Sequence, residues 1–242
     1  MRSAGFAAVL LACGGSLLAG AAQATVLTFD IAGGITNFLP VPANYGDNVV
    51  ALLQAGHGYG VGSEGFTPNV VVDYGAAGEL PALWNSGYGD LSGVYFNDQD
   101  GDVTFTLVFT AAAGFLVNLL DFDIASFSPG GQTVQGLAVR DVDDDAVLFA
   151  LGPTFVTGTT HSSVVPNATA RRLELVVDLS GLGTVSDNIG IDNLRFGQMI
   201  DPDPPSSAVV EPGPLGLLGI GLFGLALARR AGRSRSGRAR PV

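Results

Sequence analysis

The chain has 242 residues and a formal charge of −11, and all 11 of its basic side chains are arginines. Residues 25–211 hold all 22 acidic side chains against four arginines, a net charge of −18. A domain this acidic repels phosphate backbones, which excludes nucleic acid as a partner, and it repels anionic lipid and acidic polymers at low salt.

Arg2 precedes an apolar stretch, Phe6 to Leu18, followed by the small-x-small triplet Ala22-Gln23-Ala24. That succession predicts a secretory signal peptide over residues 1–24, with the mature chain starting at Thr25. Cys13, the only cysteine, lies inside it, and Leu10-Leu11-Ala12-Cys13 is a faint lipoprotein box that would instead acylate Cys13. Cleavage after Ala24 leaves an exported domain without cysteine, which excludes disulfides and thiolate metal sites.

Residues 25–200 are the length of one domain with a substantial core. Eighteen aspartates and 35 glycines favour turns over helix interiors. Between them lie β-branched and aromatic runs: Val26–Ile31, Val49–Leu53, Val70–Tyr74, Val94–Phe96 and Val103–Thr110. Val117–Phe127, Thr133–Val142, Ala146–Leu151, Leu173–Leu179 and Ile189–Phe196 follow. Several alternate with period two, as in Val103-Thr104-Phe105-Thr106-Leu107, which is the pattern of half-buried antiparallel strands. Ten or so such strands predict an all-β, antiparallel β-sandwich of jelly-roll type.

Residues 201–208, with Asp201-Pro202-Asp203-Pro204-Pro205-Ser206-Ser207, read as an extended linker. Residues 209–242 divide into a short motif (209–214), an apolar helical span (Leu215–Ala228) and an arginine-rich tail opened by Arg229 and Arg230. The span has fourteen residues, about 21 Å of helix, against the ~30 Å of hydrocarbon that a permanent anchor crosses. Transient insertion in the inner membrane fits it better than a simple anchor, with the arginines on the cytoplasmic side.

A motif, an apolar span and a basic tail in this order resemble the PEP-CTERM sorting signal. Here Val209-Val210-Glu211-Pro212 supplies the motif, with valine where the family has its first proline. The resemblance implies an exosortase-type processing enzyme as partner, acting at Val210, Glu211 and Pro212, in a Gram-negative cell. It also implies a cell-surface or extracellular destination and a setting in exopolysaccharide or biofilm matrix. Asp187–Phe196 resembles the segment that commonly precedes such signals. Leu27–Asp30, Tyr59–Gly62, Gly65–Val70 and Trp84–Leu91 are similar to one recurrent group of these proteins, which transfers an architecture and no activity.

Three chemistries can be weighed for the domain itself. Catalysis has little to work with: the histidines are His57 and His161, and Ser63 lacks the first glycine of a nucleophile elbow. The expectation is therefore a structural or interaction role, not an enzyme. Calcium would find hard oxygen ligands at Asp98, Asp100 and Asp102 and at Asp141, Asp143 and Asp145, though neither segment is an EF-hand loop and Asp-Gly is also a hairpin turn. Carbohydrate binding, to extracellular polysaccharide, would use an exposed ring as a stacking platform. Trp84, Tyr88 and Asp90 offer rings and a carboxylate in one loop, with Tyr95 near, although Trp84 is as readily a core residue.

Overall fold

The computed structural model describes residues 23–30, 36–51, 65–98 and 101–203. Those residues form fifteen strands and one 3-10 segment, Gly183–Asn188. All paired strands are antiparallel. Numbered in chain order, the larger sheet runs β12 (Ser162–Val164), β7 (Phe115–Ser126), β15 (Ile189–Ile200), β5 (Ser92–Asn97), β4 (Pro81–Ser86) and β2 (Leu39–Pro40). Into it β1 (Gln23–Leu27) pairs with β15, and β13 (Ala168–Ala170) pairs with β7. The smaller sheet runs β10 (Ala146–Leu151), β9 (Gly136–Asp141), β14 (Arg172–Asp178), β6 (Thr104–Ala111) and β3 (Val70–Tyr74). A separate ribbon joins β8 (Gln132–Val134) to β11 (Thr154–Val156).

Successive strands cross between the sheets, so that β5–β15–β7–β12 lies over β6–β14–β9–β10. That is the double Greek key of a jelly roll, as the alternation predicted. Period-two patterning sets which face each side chain takes. Phe105, Leu107 and Phe109 of β6 and Leu173, Leu175 and Val177 of β14 point inward. They meet Tyr95, Leu119, Ile124, Ile191 and Phe196 of the larger sheet. Ring contacts bridge the layers at Tyr95–Phe105, 4.7 Å between centroids, and at Phe109–Phe196, 5.3 Å. Each buried ring or aliphatic side chain of this kind contributes about 1.5–3 kcal/mol.

Three differences from the sequence reading have local causes. Trp84 sits on a strand, not in a loop: β4 has no β-branched residue, and its proline is tolerated because it opens the strand. The run Thr133–Val142 is broken at Gln135 into β8 and β9. Val49–Leu53 yields an isolated bridge, Val49 with Thr67, at its described end. The folded unit also reaches one residue past its expected end. Asp201 is buried, its amide donates to the Gly114 carbonyl, and its carboxylate accepts from Arg171 Nη2 at 2.9 Å. Pro202 and Asp203, the described residues of a second compact unit, are exposed. Among the described residues no helix is long and apolar enough to cross a membrane.

A second acid is held inside. Strand β15 pairs with β5 through Gly190 and Ile191, then with β1 from Leu194 onward. Asp192 and Asn193 fall at this hand-over, where the β7 register also shifts and Asn193 turns left-handed at φ 50°. Asp192 is 4% exposed, and its Oδ1 accepts the Asn193 amide at 2.6 Å. Burial pushes its carboxyl up to about 8; the Asn193 amide opposes the shift, while Asp30 and Asp123 add to it.

The folded value lies above the 3.8 of an unperturbed aspartate, so between the two pH values the native state binds the extra proton. This contribution is fully present below pH ~4 and is lost as pH rises toward 8, by up to about 1.4 kcal/mol per unit. Asp192→Asn keeps the acceptor and removes the titration. Urea denaturation of both chains at several pH values should show the variant gaining on the parent as pH rises from 5 to 8. Parallel stability curves would mean that Asp192 ionises freely in the fold.

Candidate functional site

The outer face of the larger sheet carries a second apolar cluster, separate from the core between the sheets. Its base is one cross-strand row: Ala82 of β4, Phe96 of β5, Gly190 of β15 and Ala125 of β7 stand side by side in register. Small residues at the centre of that row leave a hollow, which Tyr88 of the β4–β5 loop fills. A Cβ at Gly190 would come within 2.8 Å of the Tyr88 ring, so only glycine lets the ring lie there. The loop can turn down because Gly87 takes φ +101°, where a side chain would also strike the Phe127 ring. Tyr88 is 2% exposed and its hydroxyl donates to the Asp187 carbonyl at 2.6 Å.

Around Tyr88 the rings of Phe38, Trp84, Phe96 and Phe127 form a solvent-open cleft of about 270 Å³. That space includes the open solvent at its mouth, so the cleft is a shallow groove and well short of the ~300 Å³ pockets that enclose small ligands. Its polar lining is Asp187 and Asn188, at the end of the 3-10 segment. Phe38 packs edge-on against Trp84, 4.7 Å between centroids at 89°, and Trp84 meets Phe127 at 5.6 Å and 77°. Edge-to-face packing is the arrangement that ring quadrupoles favour.

Phe38 is 55% exposed and its backbone is left-handed, φ 65°. Such a conformation costs a bulky residue about 1–3 kcal/mol and persists only where surroundings impose it. Here they do: its amide donates to the Leu83 carbonyl at 3.0 Å, and Asn37 Oδ1 accepts the Asn85 amide at 3.0 Å, pinning the 37–38 turn to β4. Exposed, strained and aromatic, Phe38 forms one wall of the cleft. Burial, then the carboxylates of Asp187 and Asp98, raise the Tyr88 phenol well above its ordinary range. It stays a proton donor at any physiological pH.

Of the residues expected to bind carbohydrate, Trp84 and Tyr88 belong to this cleft. Tyr95 does not. It is 0% exposed, faces the core between Val94 and Phe96, and donates its hydroxyl to the Thr106 carbonyl. Alternation on β5 sends it to the opposite face of the sheet, so it offers a ligand nothing. Asp90 is exposed on the Tyr88 loop, 3.0 Å from His161 Nδ1, a hydrogen bond that holds its carboxyl below the usual range. The other ring nitrogen of His161 lies 3.7 Å from Asp123. Asp123 also accepts from Ser163 Oγ at 2.6 Å and Asn193 Nδ2 at 3.0 Å, so His161 is a bridging residue and not a free loop side chain.

Nothing in the sequence marks Phe38, Phe127, Asp187 and Asn188 as site residues. Phe127 closes an apolar strand run and Asp187-Asn188 lies in a segment notable only for its resemblance; neither pattern marks a cleft.

Described aspartates of both segments are engaged by protein groups. Asp102 accepts from Asn97 Nδ2 at 2.7 Å, and the Asp98 amide donates to the Leu80 carbonyl. Asp141 Oδ1 accepts the Asp143 amide at 2.9 Å, Asp143 pairs with Arg172 at 3.4 Å, and Asp145 is left-handed at φ 52°. Among the described residues no three His, Cys, Asp or Glu side chains converge to hold a metal ion. Asp100, His57, Ser63, Cys13 and the sorting residues Val210, Glu211, Pro212, Arg229 and Arg230 lie outside the described residues.

No family model and no curated protein sequence matches the chain. Solved structures similar to it include an arabinose-bound GH51 α-L-arabinofuranosidase, at 11% identity and TM-score 0.38 over 73% of this chain and 27% of that one. The carbohydrate-binding module TmCBM61 in complex with β-1,4-galactotriose is similar at 12% identity and TM-score 0.28, over 55% of this chain and 88% of that one. A Ruminococcus gnavus GH29 fucosidase in complex with fucose follows at 14% identity and TM-score 0.26, over 53% and 26%. The chain thus spans about a quarter of the two enzymes' length.

Proposed function

We propose that this chain is an exported surface or matrix protein whose jelly roll binds polysaccharide through the aromatic cleft, without catalysis, and whose C-terminal segment is a substrate of an exosortase-type enzyme. The observation that carries the binding reading is Phe38, exposed and left-handed, set against Trp84 at the mouth of a cleft with Asp187 and Asn188. Aromatic faces take the C–H faces of a sugar ring, and an amide with a carboxylate supplies hydrogen bonds to its hydroxyls. The small volume suits one residue of a polymer lying across the surface. A glycosidase sets two carboxyl groups across its bond, whereas a single carboxylate residue lines this cleft.

Isothermal titration of residues 25–203 with cell-surface polysaccharide tests this. Phe38→Ala and Trp84→Ala should each weaken binding about tenfold or more, roughly 1.4 kcal/mol. Phe38 is largely exposed, so its variant should melt within a few degrees of the parent. Val147→Ala, on the exposed β10 edge of the other sheet, should bind normally. Unchanged affinity in both cleft variants would end the reading.

The export reading rests on the order of motif, apolar span and arginines over residues 209–242. Replacing Glu211 and Pro212 by alanine should leave the full-length form in the membrane fraction of an exosortase-containing host. If the parent chain has the same mass and distribution in a matched strain lacking the enzyme, the tail is a plain anchor.

A further inference from the structure

We infer that His161 is a proton-operated clasp: its imidazolium fastens the loop that carries Tyr88 into the aromatic cleft onto the larger sheet, and loss of one proton slackens that hold. The clasp stands on geometry and needs no ligand; only its effect on polysaccharide rests on the binding reading above. Two carboxylates reach the ring at different nitrogens. Asp90, two residues after Tyr88 on the β4–β5 loop, has Oδ1 3.0 Å from Nδ1. Asp123 of β7 has Oδ1 3.7 Å from Nε2.

A carboxylate only accepts, and a neutral imidazole carries a single N–H, so neutral His161 serves one acid while the other meets a lone pair. Only the imidazolium presents an N–H to both, as a hydrogen bond to Asp90 and an ion pair with Asp123. The proton it needs is the one that imidazoles exchange between about pH 5 and 8. The clasp is therefore complete at the acid end of that range and is lost as pH rises through it. Because the acids meet different nitrogens, the three side chains do not converge as metal ligands do.

The two acids are not held alike. Asp123 accepts from Ser163 Oγ and Asn193 Nδ2 as well, which fixes it on the sheet whatever the state of the histidine. Asp90 stands on a loop jointed by Gly87 and Gly89, left-handed at φ 101° and 56°. The loop lies directly on the chain before His161, since a Cβ at Gly89 would come within 2.6 Å of the Thr160 carbonyl oxygen. His161 thus joins a jointed loop to a fixed carboxylate. Its hydrogen bond is the chief cause that holds Asp90 below the usual carboxyl range, so Asp90 is charged throughout the imidazole's range. Behind Asp123, Asp192 of β15 stands opposite in register, and Asp30, after β1, acts on Asp192. Both are acids and favour the imidazolium. Asp121, two residues along β7, pairs with Arg195 of β15 at 3.5 Å.

Hydrogen–deuterium exchange of the full-length chain, read on the peptide covering residues 86–91 and corrected for intrinsic rates, tests the clasp without a ligand. Protection of that peptide should be about threefold greater at pH 5.5 than at pH 7.5, the range of a partly exposed ion pair. His161→Gln keeps one uncharged donor and should bring the ratio close to one. Asp192 also titrates toward 8, so its own variant is the control: Asp192→Asn should keep the ratio. Where the loop does respond, polysaccharide affinity should rise about two- to threefold at the lower pH in the parent and stay level in His161→Gln.

Equal ratios in the parent and His161→Gln overturn the clasp. A ratio that survives His161→Gln and vanishes in Asp192→Asn assigns the response to Asp192 and overturns it too. Should His161→Gln fail to fold, Asp90→Asn decides: it removes the loop's acid and keeps the histidine, and an undiminished ratio there overturns the inference. A responsive loop with affinity that ignores pH keeps the clasp and severs it from the cleft. Absence of polysaccharide binding at either pH ends the binding reading and leaves the clasp to the exchange result.

Discussion

Gly190 stands between Phe96 and Ala125 on the outer face of the larger sheet, and its missing side chain is what lets Tyr88 lie flat on the strands. From that contact the local architecture follows. With Tyr88 down, its hydroxyl reaches the Asp187 carbonyl and ties the β4–β5 loop to the 3-10 segment, 99 residues away in sequence. Phe127 and Trp84 then close around the ring, and Phe38 completes the wall. The sheet is thus buried on both faces around β5 and β15, the thick core on one side and a small aromatic cluster on the other.

Burial on two faces has costs that locate the site. Phe38 is held in a backbone region that glycine would occupy without strain, and Asp192 keeps its proton where β15 changes partner. Neither choice serves packing: an aliphatic residue at 192 would bury more cheaply, and a glycine at 38 would turn more easily. Of the two, Phe38 lines the cleft, and backbone strain of this kind clusters at ligand sites. The opposite sheet shows plain alternation and an exposed edge at β10.

Charge acts at two scales. Over the whole domain the excess of carboxylates turns away anionic polymers. At the cleft the acidic lining comes down to one residue, Asp187, set among the rings. A bare count of acids would miss this; position decides it.

The sequence by itself determined the class of the fold. Period-two alternation, glycine- and aspartate-rich turns and the absence of helical periodicity are local properties, and they put most of the long strands where the structure has them. It also marked Trp84 and Tyr88 as rings worth attention. It did not place them: Trp84 read as part of a loop, and Tyr95 as a neighbour of the site when its strand sends it into the core. Phe38 carried no signal at all, since its exposure and its strain come from pairing with β4 across more than forty residues. Asp192 follows the outward phase of its strand, and only the hand-over from β5 to β1 makes that position buried. Alternation fixes which face a side chain takes, but which strands lie beside it, and what covers them, is decided by contacts distant in the chain.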